Sequence, residues 1–226
     1  MEENGRLTAV DAGLPGFGGS LVADLASLGF ALDDIEAVIL THSDADHTGL
    51  APTIRDAGAR VLIHRDDEAT LRKPGPKSGD ASPQHLLREL WRPSFWRTIA
   101  GMVQAQGFKL AKITDAETFD GEAVLDVPGR PRPIPTPGHT PGHTAFSFEK
   151  HGAAFVGDAM CTLNMVTHRT GPQVMPSAMN QSTQKAIQSL DALEPLEAEV
   201  MLLGHGEPWR DGVGAAVTQA RAAALA

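Results

Sequence analysis

The chain has 226 residues, 42% of them hydrophobic, which suits one large domain with a substantial core. A net charge of -9 and a pI near 5.4 argue against a nucleic-acid surface, because phosphate binding needs clustered Lys and Arg. A single cysteine, Cys161, excludes an internal disulfide framework and a cysteine-rich zinc site, and no tyrosine is present to take part in catalysis. In chain order, Leu7 to Val10 reads as a short strand ending at Asp11-Ala12-Gly13 and a Gly/Pro loop. Ser20 is the expected N-cap of a helix that runs to Leu28 and stops at Gly29. Ile35 to Leu40 is a second strand, followed by the string THSDADHTG, a helix from Leu50 to Ala57 and a third strand from Val61 to His64. This alternation suggests a layered fold of helices and strands.

Residues 66–84 read as a loop after a short helix. Residues 85–107 place Leu86, Leu87, Leu90, Trp91, Phe95, Ile99, Met102 and Val103 at roughly helical spacing, with Pro93 expected to break or kink the segment. From Ile113 to Val156 short apolar runs alternate with turns, as in antiparallel strands. Residues 159–182 show no period. A helix from Thr183 to Leu193, a strand from Val200 to Leu203 and an Ala-rich helix close the chain. No apolar run is long enough to span a bilayer and no signal peptide is visible, so the expectation is a cytoplasmic protein that meets neither membrane nor nucleic acid.

Four segments concentrate metal-binding chemistry. Two imidazoles and two carboxylates (His42, Asp44, Asp46, His47) fall within six residues just past a strand. An extended backbone would put His42, Asp44 and Asp46 on one side. Nitrogen and anionic oxygen are the usual ligands of divalent cations, although Asp44 or Asp46 can equally cap the helix that follows. Pro137-Gly138-His139-Thr140-Pro141-Gly142-His143 sets histidines on a turn that permits close backbone approach. Phe155-Val156-Gly157-Asp158 and Leu202-Leu203-Gly204-His205 are apolar strands that each end beside glycine in one ligand-type side chain.

In this order the four segments resemble the metallo-β-lactamase superfamily, whose pattern is H-x-H-x-D-H after a strand, then a downstream His, Asp and His. The likeness runs from Asp11 to Gly206. It implies a single α+β domain over residues 1–226, a four-layer αββα sandwich with its site at one edge. It implies two divalent metal ions, zinc first, with manganese or iron as alternatives. His42, Asp44 and His139 would hold one; Asp46, His47 and His205 the other; Asp158 would bridge them, and Asp46 is also the residue assigned to catalysis. The implied activity is hydrolysis of a small-molecule ester, lactone, thioester or amide by a metal-activated hydroxide. Two alternatives stand beside it: a mononuclear iron sulfur or persulfide dioxygenase of the same fold, and a non-catalytic metal-binding protein.

Two departures from the family pattern matter. Asp44 stands where the family has a second histidine, which would bring the net charge of a two-metal core from about +1 to about zero and weaken its Lewis acidity. The chain also reaches Asp11 with fewer preceding residues than family members have, so the expectation is a domain lacking its first strand or strands. Among the other residues, His143 is expected to support the ligands rather than join them. Asp11 is expected to bond local backbone, and His64 to be satisfied near the core. His85, His151 and His168 should lie at the surface, and Cys161 should be a small buried residue. Trp91, Phe95, Trp96 and Met102 are expected to pack on the sheet, the alternative being a lid over the metals. In that alternative Met160, Met165, Met175 and Met179 would line a soft apolar pocket.

Overall fold

The computed structural model describes residues 1–75, 79–80, 87 and 90–224. The first sheet takes the short β-rich runs of the N-terminal half. Its strands are β1 (Glu2–Glu3), β2 (Arg6–Val10), β3 (Ile35–Ile39), β4 (Arg60–His64) and β5 (Glu117–Phe119), side by side in that order. β1 is antiparallel to β2; the remaining pairs are parallel. Parallel neighbours require crossovers. These are α1 (Gly18–Ser27), then α2 (Ala45–Thr48) and α3 (Ala51–Asp56), then α4 (Arg65–Arg72) and α5 (Pro93–Gln104). The second sheet holds β6 (Arg132–Pro135), β7 (Thr144–Phe148) and β8 (Ala153–Gly157) as an antiparallel meander. A small antiparallel pair follows, β9 (Cys161–Leu163) with β10 (Thr170–Gln173), then α6 (Thr183–Ser189). β11 (Val200–Leu203) returns parallel to β8, and α7 (Val213–Ala224) ends the described chain.

Side-chain alternation along the strands sorts the core into three slabs. Ala37, Ile39 and Leu62 of the first sheet meet Phe146, Phe148 and Ala153 of the second, and these fill the space between the sheets. The alternate residues Val38, Leu40, Val61 and Ile63 face outward onto Leu25, Ile54 and Leu71 of α1, α3 and α4. Ala145, Ala154 and Val156 face the other way, onto Ala186, Leu190, Ala216 and Val217 around α6 and α7. The layers are therefore helix, sheet, sheet, helix, and the fold is α+β. No described helix is long and apolar enough to cross a membrane.

Several local expectations are corrected. α1 begins at Gly18 with Phe17 in the cap position, so Ser20 lies inside the helix and caps nothing. Residues 65–72 are helical because the His64 ring accepts the Asp66 N–H at the N-terminus, with three acidic residues in the first turn. His64 is thus a helix cap at the sheet end. Pro93 opens α5 as its first residue, where its missing N–H costs nothing, and does not kink it. β5 joins the first sheet in parallel, not an antiparallel array. Leu86 and His85 lie outside the described residues. The aromatic segment does not pack down on a sheet: α5 has no buried residue, and Trp91 and Trp96 are 73% and 55% exposed. Met160 and Met175 are buried in the packed interior and line no pocket beside the cluster.

Candidate metal centre

Every ligand-type residue singled out in the sequence lies just past a strand end, at one edge of the sandwich. β3 delivers His42, the β6–β7 turn delivers His139, β8 delivers Asp158 and β11 delivers His205. The backbone stays extended only as far as Asp44 (φ -74°, ψ 154°), and Asp46 and His47 sit on the short helix α2. Period-two geometry therefore accounts for His42 and Asp44, while one helical turn swings Asp46 and His47 to the far side. Asp44 occupies the cap position of α2, but its side chain makes no capping bond. Its Oδ2 instead lies 3.0 Å from His139 Nε2 and 3.5 Å from His42 Nε2.

The seven residues converge. Ligand atoms within 4.8 Å of one another form three groups: His42, Asp44 and His139; His42, His47 and Asp158; Asp46, His47 and His205. Asp158 stands between the outer groups, with Oδ1 3.4 Å from His47 Nε2 and Oδ2 3.5 Å from His139 Nε2 and 3.3 Å from His205 Nε2. His205 Nε2 is also 3.3 Å from Asp46 Oδ2. Two ligands bound at about 2.1 Å in tetrahedral geometry lie about 3.4 Å apart, so these separations fit donors around shared cations. The polar accounting agrees. His42 Nε2, His47 Nε2 and Asp158 Oδ1 are buried and make no hydrogen bond among the described residues. Orphaned buried donors and acceptors are costly, and a cation at the cluster would satisfy all three.

The opposite ring nitrogens are held by a surrounding frame. His47 Nδ1 lies 2.7 Å from Asp11 Oδ2, His42 Nδ1 2.9 Å from Thr41 Oγ1, and His139 Nδ1 3.1 Å from Asn180 Oδ1. Each contact fixes a ring orientation and leaves Nε2 pointing inward. Asp11 adopts a left-handed backbone (φ 60°), and its carboxylate also accepts from Thr41 N–H and Oγ1–H, so it does more than bond local backbone. His143 is buried beneath the cluster, where its Nε2 accepts the Asp158 backbone N–H at 3.0 Å. It supports Asp158 and is in none of the three groups. His151 and His168 are exposed.

Electrostatics follow this arrangement. Burial and the neighbouring His47 hold His42 below its ordinary range, and burial holds His143 well below. Burial works against charge on His47, yet Asp11, Asp158 and Asp46 raise it well above the ordinary range. Burial opposes His205 likewise, and Asp158 and Asp46 raise it to about 10. Burial opposes ionisation of Asp46 and Asp158, but the imidazoles keep Asp46 low and Asp158 well below the carboxylate range. Cys161 is buried and raised to about 12 by burial and by Asp158, so it is no nucleophile at neutral pH.

Asp67 was not foreseen. It is fully buried and stitches the two ligand-bearing loops together: it accepts from Ser43 N–H (3.1 Å), Thr140 Oγ1–H (2.6 Å) and Gly142 N–H (2.7 Å). One signal was available, since Asp67 shares the buried face of α4 with Leu71, four residues on. Asp67→Ala would leave three buried donors unpaired at about 1–3 kcal/mol each. The expected result is a loss of at least about 3 kcal/mol in urea unfolding together with weaker metal retention. A variant with unchanged unfolding midpoint and metal content would deny Asp67 this role.

A cavity of about 570 Å³ opens at the Asp46–His47 end of the cluster. Phe17, Leu21, Leu50, Ile54, Phe155 and Leu203 supply apolar walls, and Asp11, Asp24 and Asp46 supply the acidic groups. A smaller cleft of about 210 Å³ lies on the Asp44 side, bordered by Thr70, Leu110 and Gln181.

Comparison with known proteins places this arrangement. The Metallo-beta-lactamase superfamily model matches residues 1–205. The chain is 27% identical over 214 residues to the uncharacterized protein YobT of Bacillus subtilis, covering 92% of this chain and 81% of that one. It is 27% identical over 216 residues to the probable metallo-hydrolase YqjP of the same organism, covering 89% of this chain and 64% of that one. Among solved structures, a metallo-beta-lactamase family protein of Thermus thermophilus superposes with a TM-score of 0.71 at 26% identity, over 100% of this chain and 73% of that one. A Cronobacter sakazakii metallo-β-lactamase with a HARLDQ motif shares the fold at a TM-score of 0.68 and 18% identity, over 100% and 85% of the two chains. A family match over residues 1–205, on a helix–sheet–sheet–helix sandwich with its histidines and aspartates gathered at one edge, leads to one conclusion: the chain belongs to the metallo-beta-lactamase superfamily.

Proposed function

We propose that this protein is a metal-dependent hydrolase that cleaves an ester, lactone, thioester or amide bond of a small molecule. One observation carries the reading: two outer groups of three ligand-type residues face each other across Asp158, and the inward nitrogens of His42 and His47 are buried and unpaired among the described residues. His42, Asp44 and His139 would hold one divalent ion, Asp46, His47 and His205 the other, and Asp158 would serve both, with zinc the first candidate. Such ions supply Lewis acidity and lower the pKa of water enough to make it a nucleophile at neutral pH. The protein's own part is to fix the ligands and shape the ground beside them. Asp11, Thr41 and Asn180 set the three imidazoles before any ion arrives, which removes reorganisation from the binding step. Asp46 and His47 border both the ligand cluster and the larger cavity, and Asp46 is the carboxylate of the pair placed to meet a bound substrate. The apolar walls and acidic rim of that cavity suit a neutral or cationic substrate with an apolar acyl part, and disfavour an anionic one.

The test is metal content by mass spectrometry on protein purified without chelator, followed by a panel of esters, lactones and thioesters. About two zinc or manganese ions per chain with chelator-sensitive turnover support the hydrolase. One iron per chain with oxygen uptake would replace it with the dioxygenase reading. Saturated metal sites with no turnover on any substrate would leave a binding protein. Asp44→Asn removes the charge that distinguishes this site from the family pattern. The expected outcome is a fall from about two ions per chain to about one, with the Asp46–His47–His205 ion retained. Unchanged metal content and rate would show that Asp44 is not a ligand.

A further inference from the structure

The helix α5 and its flanks form a strap across the two halves of the sandwich. Near its N-terminal end, Ser94 Oγ–H and Thr98 Oγ1–H donate to the backbone carbonyls of Val166 (2.7 Å) and Met165 (2.6 Å), in the loop after β9. Just past its C-terminal end, Ala105 C=O accepts from Gly16 N–H at 2.9 Å, in the loop after Asp11. The strap is thus tethered at both ends, yet its surface is left apolar and unpacked. Trp91, Trp96, Val103, Phe108 and Leu110 are exposed by 73%, 55%, 62%, 62% and 55%. Trp96 and Val103 are seven residues apart on one helix face, on the solvent-side flank of the partly buried Phe95, Ile99 and Met102.

The charge of this segment runs against that of the whole protein. From Leu90 to Thr114 there are four cations, Arg92, Arg97, Lys109 and Lys112, and no Asp or Glu, in a chain whose net charge is -9. Trp96 and Arg97 on an exposed amphipathic helix, with Trp91 and Arg92 just before it and Lys109 and Lys112 after it, match the chemistry of the bilayer interface. Indole rings settle at headgroup level there, and the cations pair with anionic lipid phosphates. We infer that the α5 strap docks this protein onto an anionic lipid surface. Leu110 of this segment borders the cleft on the Asp44 side, so docking would set that cleft beside the membrane, within reach of amphiphilic molecules that partition into it. The sequence holds no apolar run long enough to span a bilayer, and that says nothing of a helix lying in the interface plane. Lipid docking is independent of the proposed hydrolase activity.

The experiment is flotation of the full-length protein with vesicles of phosphatidylcholine alone and of phosphatidylcholine mixed with phosphatidylglycerol, read alongside tryptophan emission. The expected result is at least about a tenfold preference for the anionic vesicles, a blue shift on binding, and a several-fold loss of binding as salt is raised through about 0.3 M. Trp91→Ser with Trp96→Ser, and separately Arg97→Glu with Lys109→Glu, should each reduce vesicle binding about tenfold while circular dichroism and metal content stay unchanged. Because all four side chains are exposed, these variants are expected to fold. Equal or absent binding to both vesicle types would overturn the inference. So would a micromolar dimer, seen by light scattering, that is abolished by the tryptophan variant while vesicle binding is not affected; the face would then be covered by a second copy.

Discussion

Replacing Gly204 with alanine is expected to empty the metal centre. Gly204 links the end of β11 to His205, and its N–H donates to Gly157 C=O at 3.0 Å, which holds the two parallel strand ends together. A Cβ at this position would strike Asp158 Oδ1 and lie 2.8 Å from His47 Cε1. Neither neighbour has room to give. Asp158 is pinned through its backbone by His143, and His47 is pinned through Nδ1 by Asp11. The displaced carboxylate is the one that stands between the two outer ligand groups, so a single methyl group disturbs both. Metal content should fall below about half of wild type, and the proposed hydrolysis with it, as when a ligand or the group that orients it is misplaced. Gly214→Ala in α7 is the control, since its Cβ would approach nothing closer than 3.8 Å and alanine favours helix by about 1 kcal/mol. Full metal content in Gly204→Ala would mean that Asp158 does not serve both groups.

Removing metal from the proposed centre is expected to make stability pH-dependent in a way the loaded protein is not. In the metal-free site the carboxylates raise His205 to about 10 and His47 well above its ordinary range. A group whose folded pKa is raised contributes stability that is complete below its unfolded value, near 6.5, and is lost as pH climbs through the folded value. Asp158 runs the other way: held well below the carboxylate range, its contribution is complete above about 4 and is lost in acid. The metal-free protein should therefore be most stable near pH 6.5: it weakens toward pH 10 as His47 and His205 lose their protons, and it weakens in acid because the unfolded chain takes up protons that the buried His42 and His143 do not, with Asp158 adding to the loss below about pH 4. In alkali the imidazoles no longer offset Asp11, Asp44, Asp46 and Asp158, and the cost is on the order of a few kcal/mol. Bound cations do not titrate away, and they compete with protons for the same nitrogens, so metal affinity should rise with pH. Calorimetric melting at about pH 6 and about pH 9, with and without chelator, reads the difference. The gap in Tm between loaded and stripped protein should widen at the higher pH. A constant or narrowing gap would contradict this account of the charges.

What the sequence determined by itself was chemistry attached to strand ends. The apolar runs before Asp11, His42, Asp158 and His205 are short, strongly patterned and followed by glycine or a turn, so both the strands and the residues they deliver are local properties. The runs at β3, β4, β8 and β11 are legible for the same reason, whereas the parallel pairing of the short β5 is not, because its partner β4 lies far back in the chain. Tertiary structure decided everything that depends on which strand ends meet. The opposition of the two ligand groups across Asp158 is long-range, as are the hold of Asp11 on His47 and the stitching of two loops by buried Asp67. None of these contacts can be inferred from local pattern, because each joins segments separated by at least one intervening strand or helix. The exposure of α5 belongs with them. Helical spacing of Trp96, Ile99 and Val103 describes an amphipathic helix equally well on a sheet or in solvent, and only the packing of the other helices over both sheets left this one a surface to present.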